Sequence, residues 1–271
     1  MLSFPNCKIN IGLYVTERRN DGFHNIETIF YPLPVHDVLE IVPAIEPQLH
    51  LSGREVTGSG DSDNLVWKAY QLLQKNFPGK LSAFAIYLHK VIPMGAGLGG
   101  GSADGAFMLR LLNDYCQLSL SKEELISFAL QLGSDCPFFI HNTPRFAAGR
   151  GELMSEASMD LSDYSIQLIC PAVHVSTGLA FSAIKPNPAA YDLRQLYQLP
   201  VTEWRLHIHN DFEQPVFLQH PQLADIKKQL YDQGALYASM SGSGSAIYGI
   251  FEKGRKAEIK TELGFEVFYL D

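Results

Sequence analysis

The 271-residue sequence has few cysteines, no excess of basic residues and no long apolar run. Its four cysteines are widely spaced and include no C-x-x-C pair. No apolar stretch reaches the roughly 20 residues that a membrane-spanning helix needs. The N-terminus also lacks a basic segment followed by an apolar core, which would mark a secretory signal. These absences favour a protein of the reducing cytoplasm.

The charge balance is acidic, since 21 Lys and Arg residues stand against 29 Asp and Glu residues and give a formal net charge of −8. A general nucleic-acid binder, or a binder of anionic membranes, needs an excess of basic residues. We therefore expect neither kind of partner, and an anionic ligand must be bound by a few local groups. The length suits one large or two medium domains, and both a monomer and a homodimer stay open.

Glycine is concentrated in residues 93–106, which read PMGAGLGGGSADGA. Alternating apolar residues predict a strand over 81–92, and apolar residues at helical spacing predict a helix that starts at Ser102. A strand, a glycine loop and a helix start therefore follow in order. The first N–H groups of a helix have no partner within it, and its dipole is positive there, so this arrangement favours a bound phosphate.

The glycine run departs from three better-known phosphate loops. Residues 95–100 satisfy G-x-G-x-x-G, but the match is weak in so glycine-rich a segment, and no acidic residue follows at the end of a second strand. A Walker A loop needs Gly-Lys-Ser/Thr, whereas Gly101 directly precedes Ser102. The sequence contains no His-Arg-Asp or Asp-Phe-Gly motif of a protein kinase. A flexible surface loop is the remaining alternative, although linkers usually mix Gly with Ser and charged residues.

Hydrophobic periodicity predicts further elements on both sides of the glycine run. Strands are predicted over 8–15, 38–42, 164–170 and 246–251, and helices over 64–76, 122–132 and 221–233. Ser121 and Glu124 form a capping box for the second of these helices, and Gly133 falls at its left-handed C-terminal position. Residues 145–162 are polar and interrupted by turn residues, so they predict the boundary between two domains.

Several segments in a fixed order resemble the GHMP kinases, the superfamily of galactokinase, homoserine kinase and mevalonate kinase. The glycine run is similar to their phosphate-binding motif, residues 8–28 to their N-terminal segment, and residues 239–245 to their C-terminal Ser/Gly loop. The resemblance extends from about Lys8 to Phe251. Residues 8–28 and 133–139 are most similar to one member, a kinase of isoprenoid precursor synthesis whose alcohol substrate carries a cytidine diphosphate group.

The resemblance implies an α+β fold of two domains. The N-terminal domain would be a nucleotide-binding domain like domain 2 of ribosomal protein S5, and the C-terminal domain a ferredoxin-like α/β sandwich. The active site would lie in the cleft between them. We place the ATP-binding domain at residues 1–152 and the substrate-side domain at residues 153–271.

ATP as co-substrate and Mg²⁺ are also implied, and the resemblance assigns the chemistry to Asp135 and Lys8. Asp135 would accept the proton of the substrate hydroxyl, while Lys8 would orient Asp135 and stabilise charge on the acceptor oxygen. From the residues alone, Asp135 also fits a turn aspartate and Lys8 an edge-strand lysine. The sequence shows no dedicated carboxylate cage, so the metal ligands stay unknown.

Two sets of binding residues follow from the same resemblance. The ATP set is Asn64, Leu65, Pro93, Met94, Gly95, Ala96, Gly97, Leu98, Gly99, Gly100, Gly101, Ser102 and Ala103. The substrate set is Asn10, Phe23, His24, Thr177, Phe181, Gly242 and Ser243. The two Phe rings would stack on the cytosine and His24 would hydrogen-bond it, although core packing also explains a Phe and a hairpin turn explains the Ser/Gly loop.

Other interpretations stay open at this point. His207 and His209, as alternate residues of a strand, could form a metal site with Asp211, but surface or packed histidines are commoner. A GHMP kinase for another small alcohol would carry the same motifs. A nucleotide-binding regulatory protein on this scaffold would not need Lys8 and Asp135, so their presence argues against it.

Overall fold

The computed structural model describes residues 1–54, 63–262 and 264–271, which form two compact units. The first unit comprises Met1–Lys8, Pro34–Met94 and Gly99–Thr143, and the second comprises Ile9–Leu33, Gly95–Leu98 and Pro144–Asp271. Neither unit is continuous in sequence, because residues 9–33 group with the C-terminal part of the chain. The domain division at residues 152 and 153 stays a proposal.

Strands and helices are numbered here in chain order. The strands are β1 (Leu2–Ser3), β2 (Asn6–Arg18), β3 (His24–His36), β4 (Val38–Pro43), β5 (Gln48–Gly53), β6 (Phe84–Lys90), β7 (Arg145–Ala148), β8 (Leu153–Glu156), β9 (Tyr164–Pro171), β10 (Tyr237–Met240), β11 (Ile247–Glu252) and β12 (Phe265–Leu270). The helices are α1 (Leu65–Asn76), α2 (Gly100–Tyr115), α3 (Lys122–Leu132), α4 (Cys136–His141), α5 (Thr177–Ser182), α6 (Val201–His207), α7 (Glu213–Gln219) and α8 (Pro221–Asp232), and a 3₁₀ helix spans Leu193–Gln198.

The first unit combines helices α1 to α4 with a sheet of order β1-β4-β6-β5. Strand β5 runs parallel to β6, and the other neighbours are antiparallel. Helix α1 packs along α2, and α4 packs against both α2 and α3. The alternation in β6 buries Ile86 and Leu88, while Tyr87 between them is exposed. The sheet and helices thereby bring the two ends of the glycine run, at the end of β6 and the start of α2, into one core.

Side-chain caps explain where α1 and α3 begin. Asn64 caps α1 by accepting the N–H of Val66 at 2.9 Å, and the predicted capping box of Ser121 and Glu124 is confirmed. Two details of the prediction are wrong. Helix α2 begins at Gly100 instead of Ser102, because Gly99 with φ of 70° turns the chain into the helix. Gly133, with φ of 172°, is extended and not left-handed.

The second unit contains an antiparallel sheet of order β10-β11-β9-β12 and most of a sheet of order β2-β3-β7-β8. Helices α7 and α8 contribute apolar side chains to the core of the first of these sheets. Buried members of that core are Ile169, Phe212, Val216, Leu223, Ile226, Leu230, Met240, Ile247 and Phe251. This packing fixes the loop after β10, which carries the Ser/Gly motif.

In the second unit, two strands lie where none was predicted, and one prediction is wrong. The polar stretch at residues 145–162 contains the paired strands β7 and β8, whose four-residue length gives little room for an alternating pattern. His207 ends α6 and is not a strand neighbour of His209, which instead approaches Asp211 with an Nε2 to Oδ1 distance of 2.9 Å. None of the described helices has the length and apolar character needed to cross a membrane.

Candidate active site

The glycine run forms a loop of alternating left-handed residues that leads into α2. Gly95, Gly97 and Gly99 have φ of 68°, 79° and 70°. Helix α2 has no side-chain cap and no acidic residue in its first turn, so none of its own first residues places an anionic side chain at its positive end. A Cβ on Gly101, in that turn, would meet no atom within 4 Å. The loop therefore presents backbone N–H groups beside open space, as an anion site requires.

Lys8 and Asp135 lie next to this helix start, within the first unit. Lys8 Nζ is 3.7 Å from Asp135 Oδ2, and the aliphatic Cε of Lys8 lies 3.2 Å from the point where a Cβ on Gly99 would sit. The Lys8 side chain is 4% exposed, whereas that of Asp135 is 33% exposed. Burial lowers the pKa of Lys8, and the charge of Asp135 opposes that shift only in part.

Asp135 owes its position to the short helix α4. It is the N-cap residue of α4, yet its side chain makes no capping hydrogen bond and so stays available for other work. Cys136, directly after it, is buried, and burial raises the pKa of its thiol to about 12, although the nearby Ser102 side chain at the start of α2 opposes the shift. The buried Cys136 anchors the first turn of α4 and with it Asp135. The thiol itself is inert at neutral pH.

The predicted Ser/Gly loop packs on the middle of the glycine run, within the second unit. Ser241 Oγ donates to the carbonyl of Gly97 at 2.9 Å, and a Cβ on Gly97 would lie 2.0 Å from the Ser241 carbonyl oxygen. Only glycine fits at position 97. Ser241 Oγ also accepts the N–H of Asn10 at 3.2 Å, and Thr177 Oγ1 is 3.0 Å from Ser243 Oγ.

Asn210 and Glu213 hold the Ser/Gly loop from below. The buried Asn210 amide donates to the carbonyls of Met240 and Gly242 at 2.7 and 2.8 Å, and Glu213 accepts the N–H of Met240 at 2.9 Å. The family resemblance implies a structural rather than a catalytic role for residues 210–213, without predicting their contacts with the Ser/Gly loop. The signal was weak, because polar side chains that serve backbone carbonyls look like ordinary turn residues.

The aromatic residues of the substrate set differ in exposure. Phe23 is 55% exposed and lies under the guanidinium of Arg150, 5.1 Å from the ring centroid. The ring of His24 stacks on Phe181 at 4.9 Å with 16° between the planes, and Phe181 meets Phe212 edge to face at 4.7 Å. Phe181 is therefore partly a core residue, as the alternative explanation had it, and its face toward His24 is already covered.

Other residues of the predicted ATP and substrate sets have polar groups that are already engaged within the protein. Asn64 and Leu65 lie at the start of α1, where Leu65 packs against Gly105 of α2, but the side-chain oxygen Oδ1 of Asn64 is engaged in capping. Asn10 is 3% exposed and donates to Thr28 Oγ1 at 3.0 Å. A direct contact of Asn10 with substrate would have to replace such internal hydrogen bonds.

A buried ion cluster under the glycine loop was missed altogether. Lys90 Nζ lies against the carboxylates of Asp37 and Asp104, and these three side chains are at most 3% exposed. The sequence pattern could have indicated that Lys90 is buried, because the alternate apolar residues Phe84, Ile86 and Leu88 are followed by Lys90 at the same spacing.

Two family models match the chain, one for the GHMP kinase N-terminal domain over residues 64–143 and one for the GHMP kinase C-terminal domain over residues 196–269. Together they cover more than half of its length. The chain belongs to the GHMP kinase family. The N-terminal match contains the glycine loop and Asp135, and the C-terminal match contains the Ser/Gly loop. The predicted α+β fold of this kinase family is thereby confirmed.

Relatives of this GHMP kinase are similar over almost its whole length. It is 50% identical to the 4-diphosphocytidyl-2-C-methyl-D-erythritol kinase of Bacteroides thetaiotaomicron, with 99% of this chain and 98% of the relative covered. A crystal structure of 4-(cytidine 5'-diphospho)-2C-methyl-D-erythritol kinase matches at a TM-score of 0.75 and 30% identity, covering 92% of this chain and 90% of that one. Mevalonate kinase of Methanococcus jannaschii shares the fold at a TM-score of 0.71 and 11% identity, covering 99% and 97%.

Proposed function

We propose that this GHMP kinase transfers the γ-phosphoryl group of ATP to the 2-hydroxyl of 4-diphosphocytidyl-2-C-methyl-D-erythritol, in the non-mevalonate synthesis of isoprenoid precursors. Half of its residues are identical to those of a relative with that substrate in its name, over nearly the full length of both chains. The observation that carries the chemistry is the pairing of Lys8 with a partly exposed Asp135 beside the uncapped start of α2.

Asp135 acts as the general base in this proposal. Its carboxylate takes the proton of the substrate hydroxyl as that oxygen attacks the γ-phosphorus, and ADP leaves. Lys8 holds the carboxylate and contributes positive charge where negative charge develops on the transferred group. Phosphoryl transfer requires mainly positioning and charge stabilisation from the protein, and these two residues with the loop N–H groups supply both.

The nucleotide phosphates bind to the glycine loop, residues 93–103, in the same proposal. Among the described residues no group of three His, Cys, Asp or Glu side chains is arranged to hold a metal ion. We propose that Mg²⁺ arrives on the nucleotide, bound by phosphate oxygens and water. Asn64 and Leu65 would lie near the adenosine.

The cytidine end of the substrate is assigned to Phe23, His24 and Phe181. A cytosine ring stacks on an aromatic face, and the imidazole can exchange hydrogen bonds with the base edge. Because His24 already covers one face of Phe181, the base must displace that ring or use another face. Asn10, Thr177, Gly242 and Ser243 are proposed as further polar contacts.

The catalytic proposal is tested by ADP release coupled to the cytidylyl substrate, in the natural chain and in Asp135→Asn. We expect turnover to fall by roughly 10² to 10⁴-fold in the variant, because the amide cannot accept the proton. Asp114→Asn is the matched control, since Asp114 is exposed at the far end of α2. Equal rates in all three proteins would remove Asp135 from its role, and failure of the natural chain to use this substrate would favour another small alcohol.

Substrate recognition is tested by Phe181→Ala. Losing one stacked ring costs roughly 1 to 3 kcal/mol of binding, so the KM for the cytidylyl substrate should rise while kcat changes little. Phe217→Ala provides the control, because Phe217 is also half-buried and packs on the same core but is outside the proposed site. If both variants keep the original KM, Phe181 is a core residue only.

Two wider statements belong to the same proposal. The cytoplasm is the proposed location, supported by cysteines that are all free thiols. The boundary between ATP-binding and substrate-side domains at residues 152 and 153 is compatible with the two family matches, which lie on either side of it.

A further inference from the structure

Beneath the glycine loop, Asp37, Lys90 and Asp104 form a buried ion cluster that the proposed chemistry does not use. We infer that these three residues, here called the ion clamp, are positioning residues that hold the two ends of the phosphate-binding loop in register. The inference rests on the proposed ATP site for its catalytic meaning. Its structural content, that the clamp orders the loop, can be tested without nucleotide.

The clamp connects the chain before the loop to the chain after it. Lys90 is the last residue of β6, and Asp104 lies in the first turns of α2. Lys90 Nζ donates to Asp104 Oδ2 at 2.6 Å and also bonds to Asp37. One ammonium group therefore joins residues on both sides of the glycine run.

Asp37 extends the clamp into the loop backbone. Its Oδ1 accepts the N–H groups of Val91 and Ile92 at 2.5 and 2.8 Å, while its Oδ2 faces Lys90. The first two residues after β6 are thus fixed by a buried carboxylate. Their backbone conformation is therefore fixed before the glycine run begins.

The start of α2 packs directly on the same group. A Cβ on Gly100 would lie 2.9 Å from Ile92 Cγ2 and 3.4 Å from Lys90 Nζ. The helix start therefore sits on Ile92 and the ammonium, and only a glycine allows this approach. A bound phosphate would depend on the direction of the backbone N–H groups at the start of α2. A small displacement of the helix start would therefore weaken phosphate binding.

A contribution to folding stability does not by itself explain why three ionisable side chains are buried together. Replacing buried ion pairs by apolar residues of similar volume is often neutral or stabilising, so such a cluster is weak evidence for a contribution to folding. Its arrangement across the two ends of a glycine loop, whose residues have little conformational preference of their own, gives it a use in specifying one loop conformation.

The test compares Asp104→Ala with Asp104→Asn. The Ala variant cuts the link to α2 and leaves Lys90 paired with Asp37, so the fold is retained. The Asn variant keeps an oxygen that can accept from Lys90. Leu112→Ala, a buried change further along α2, serves as the control for lost stability. Amide hydrogen exchange of residues 91–103 is measured against that of α1, together with kcat, the KM for ATP and the melting temperature.

We expect Asp104→Ala to speed exchange in residues 91–103 more than in α1 and to raise the KM for ATP about tenfold with a smaller change in kcat. Asp104→Asn should keep both the exchange rate of residues 91–103 and the KM for ATP within about twofold of the natural chain, because this conservative change restores the acceptor. Leu112→Ala should lower the melting temperature without a change confined to the loop.

Two results overturn the clamp. One is an even rise of exchange throughout the described chain in Asp104→Ala, with the KM for ATP unchanged; the other is a loop loosened as much by Leu112→Ala as by Asp104→Ala. If exchange rises only in the loop but the natural chain binds no MgADP in calorimetry, the clamp stands as a device that orders the loop and the ATP assignment fails.

Discussion

Lys8 and Lys90 are both buried lysines of the first unit, with side chains 4% and 3% exposed, but their surroundings differ. Lys8 Nζ lies 3.7 Å from the carboxylate of Asp135, which is one-third exposed. Lys90 faces two carboxylates as buried as itself. Burial lowers the pKa of Lys8 in spite of Asp135, whereas the charges of Asp104 and Asp37 outweigh burial at Lys90 and raise its pKa.

This difference separates a reactive charge from a structural one. Because burial lowers the pKa of Lys8 in spite of Asp135, an anion arriving beside Gly99 would favour the charged form of Lys8. The ammonium of Lys90 is hydrogen-bonded to two buried carboxyl groups that hold the loop. In our proposals, the same residue type at similar burial serves chemistry in one place and positioning in the other.

Among the variants that test this comparison, Lys8→Met is expected to have the largest effect. We expect kcat to fall by roughly 10² to 10⁴-fold, since Asp135 loses its partner and the transferred group loses a positive charge. The free energy of unfolding should stay the same or rise, because an apolar side chain replaces an ammonium whose charged form burial disfavours, and Asp135 remains in contact with water. Steady-state kinetics and urea unfolding measure the two quantities.

Lys90→Met is the counterpart for the same measurements. It strands two buried carboxylates, so the free energy of unfolding should fall by roughly 3 to 5 kcal/mol. The comparison between the two lysines fails if Lys8→Met destabilises the chain as much as Lys90→Met does. It also fails if Lys8→Met leaves kcat intact.

Hydrophobic periodicity and capping motifs were sufficient to predict much of the secondary structure of the first unit. The capping box at Ser121 and the strands and helices around the glycine run follow from local pattern, and the structure has them within a few residues. The start of α2 was misplaced, because Gly100 and Gly101 are poor helix formers by propensity, whereas in the structure Gly100 packs closely on Ile92. Strands β7 and β8 were missed since such short strands depend on pairing with distant residues.

The candidate site was predictable only where residues form a motif. The glycine loop, Lys8 and Asp135 carry a family pattern, and within the first unit the structure places Lys8 beside Asp135 and Gly99. Asp37 is 53 residues from Lys90 in sequence, and no local signal joins them. Long-range pairs of this kind are decided by the topology of β4 and β6, which the sequence pattern alone does not specify.

The smallest effect concerns the second carboxylate of the ion clamp. Burial, with the nearby charge of Asp37, raises the pKa of Asp104 to about 8, although Lys90 opposes the shift. The charged groups acting on Asp104 are Lys90 from β6 and Asp37 from the turn before β4. The folded chain therefore keeps a proton on this pair at neutral pH that the unfolded chain, with an ordinary Asp pKa of about 3.9, has lost.

The sign of the pH dependence follows from that proton. Between about pH 4 and pH 8 the folded state binds more protons at Asp104 than the unfolded state, so the free energy of unfolding falls as pH rises, by at most about 1.4 kcal/mol per pH unit. Asp104→Asn, which resembles the protonated carboxyl, should remove this slope in urea unfolding while activity at neutral pH changes little. Asp114→Asn, an exposed change on the same helix, should keep it. Parallel curves for the natural chain and Asp104→Asn would mean that both carboxylates of the clamp are ionised at neutral pH.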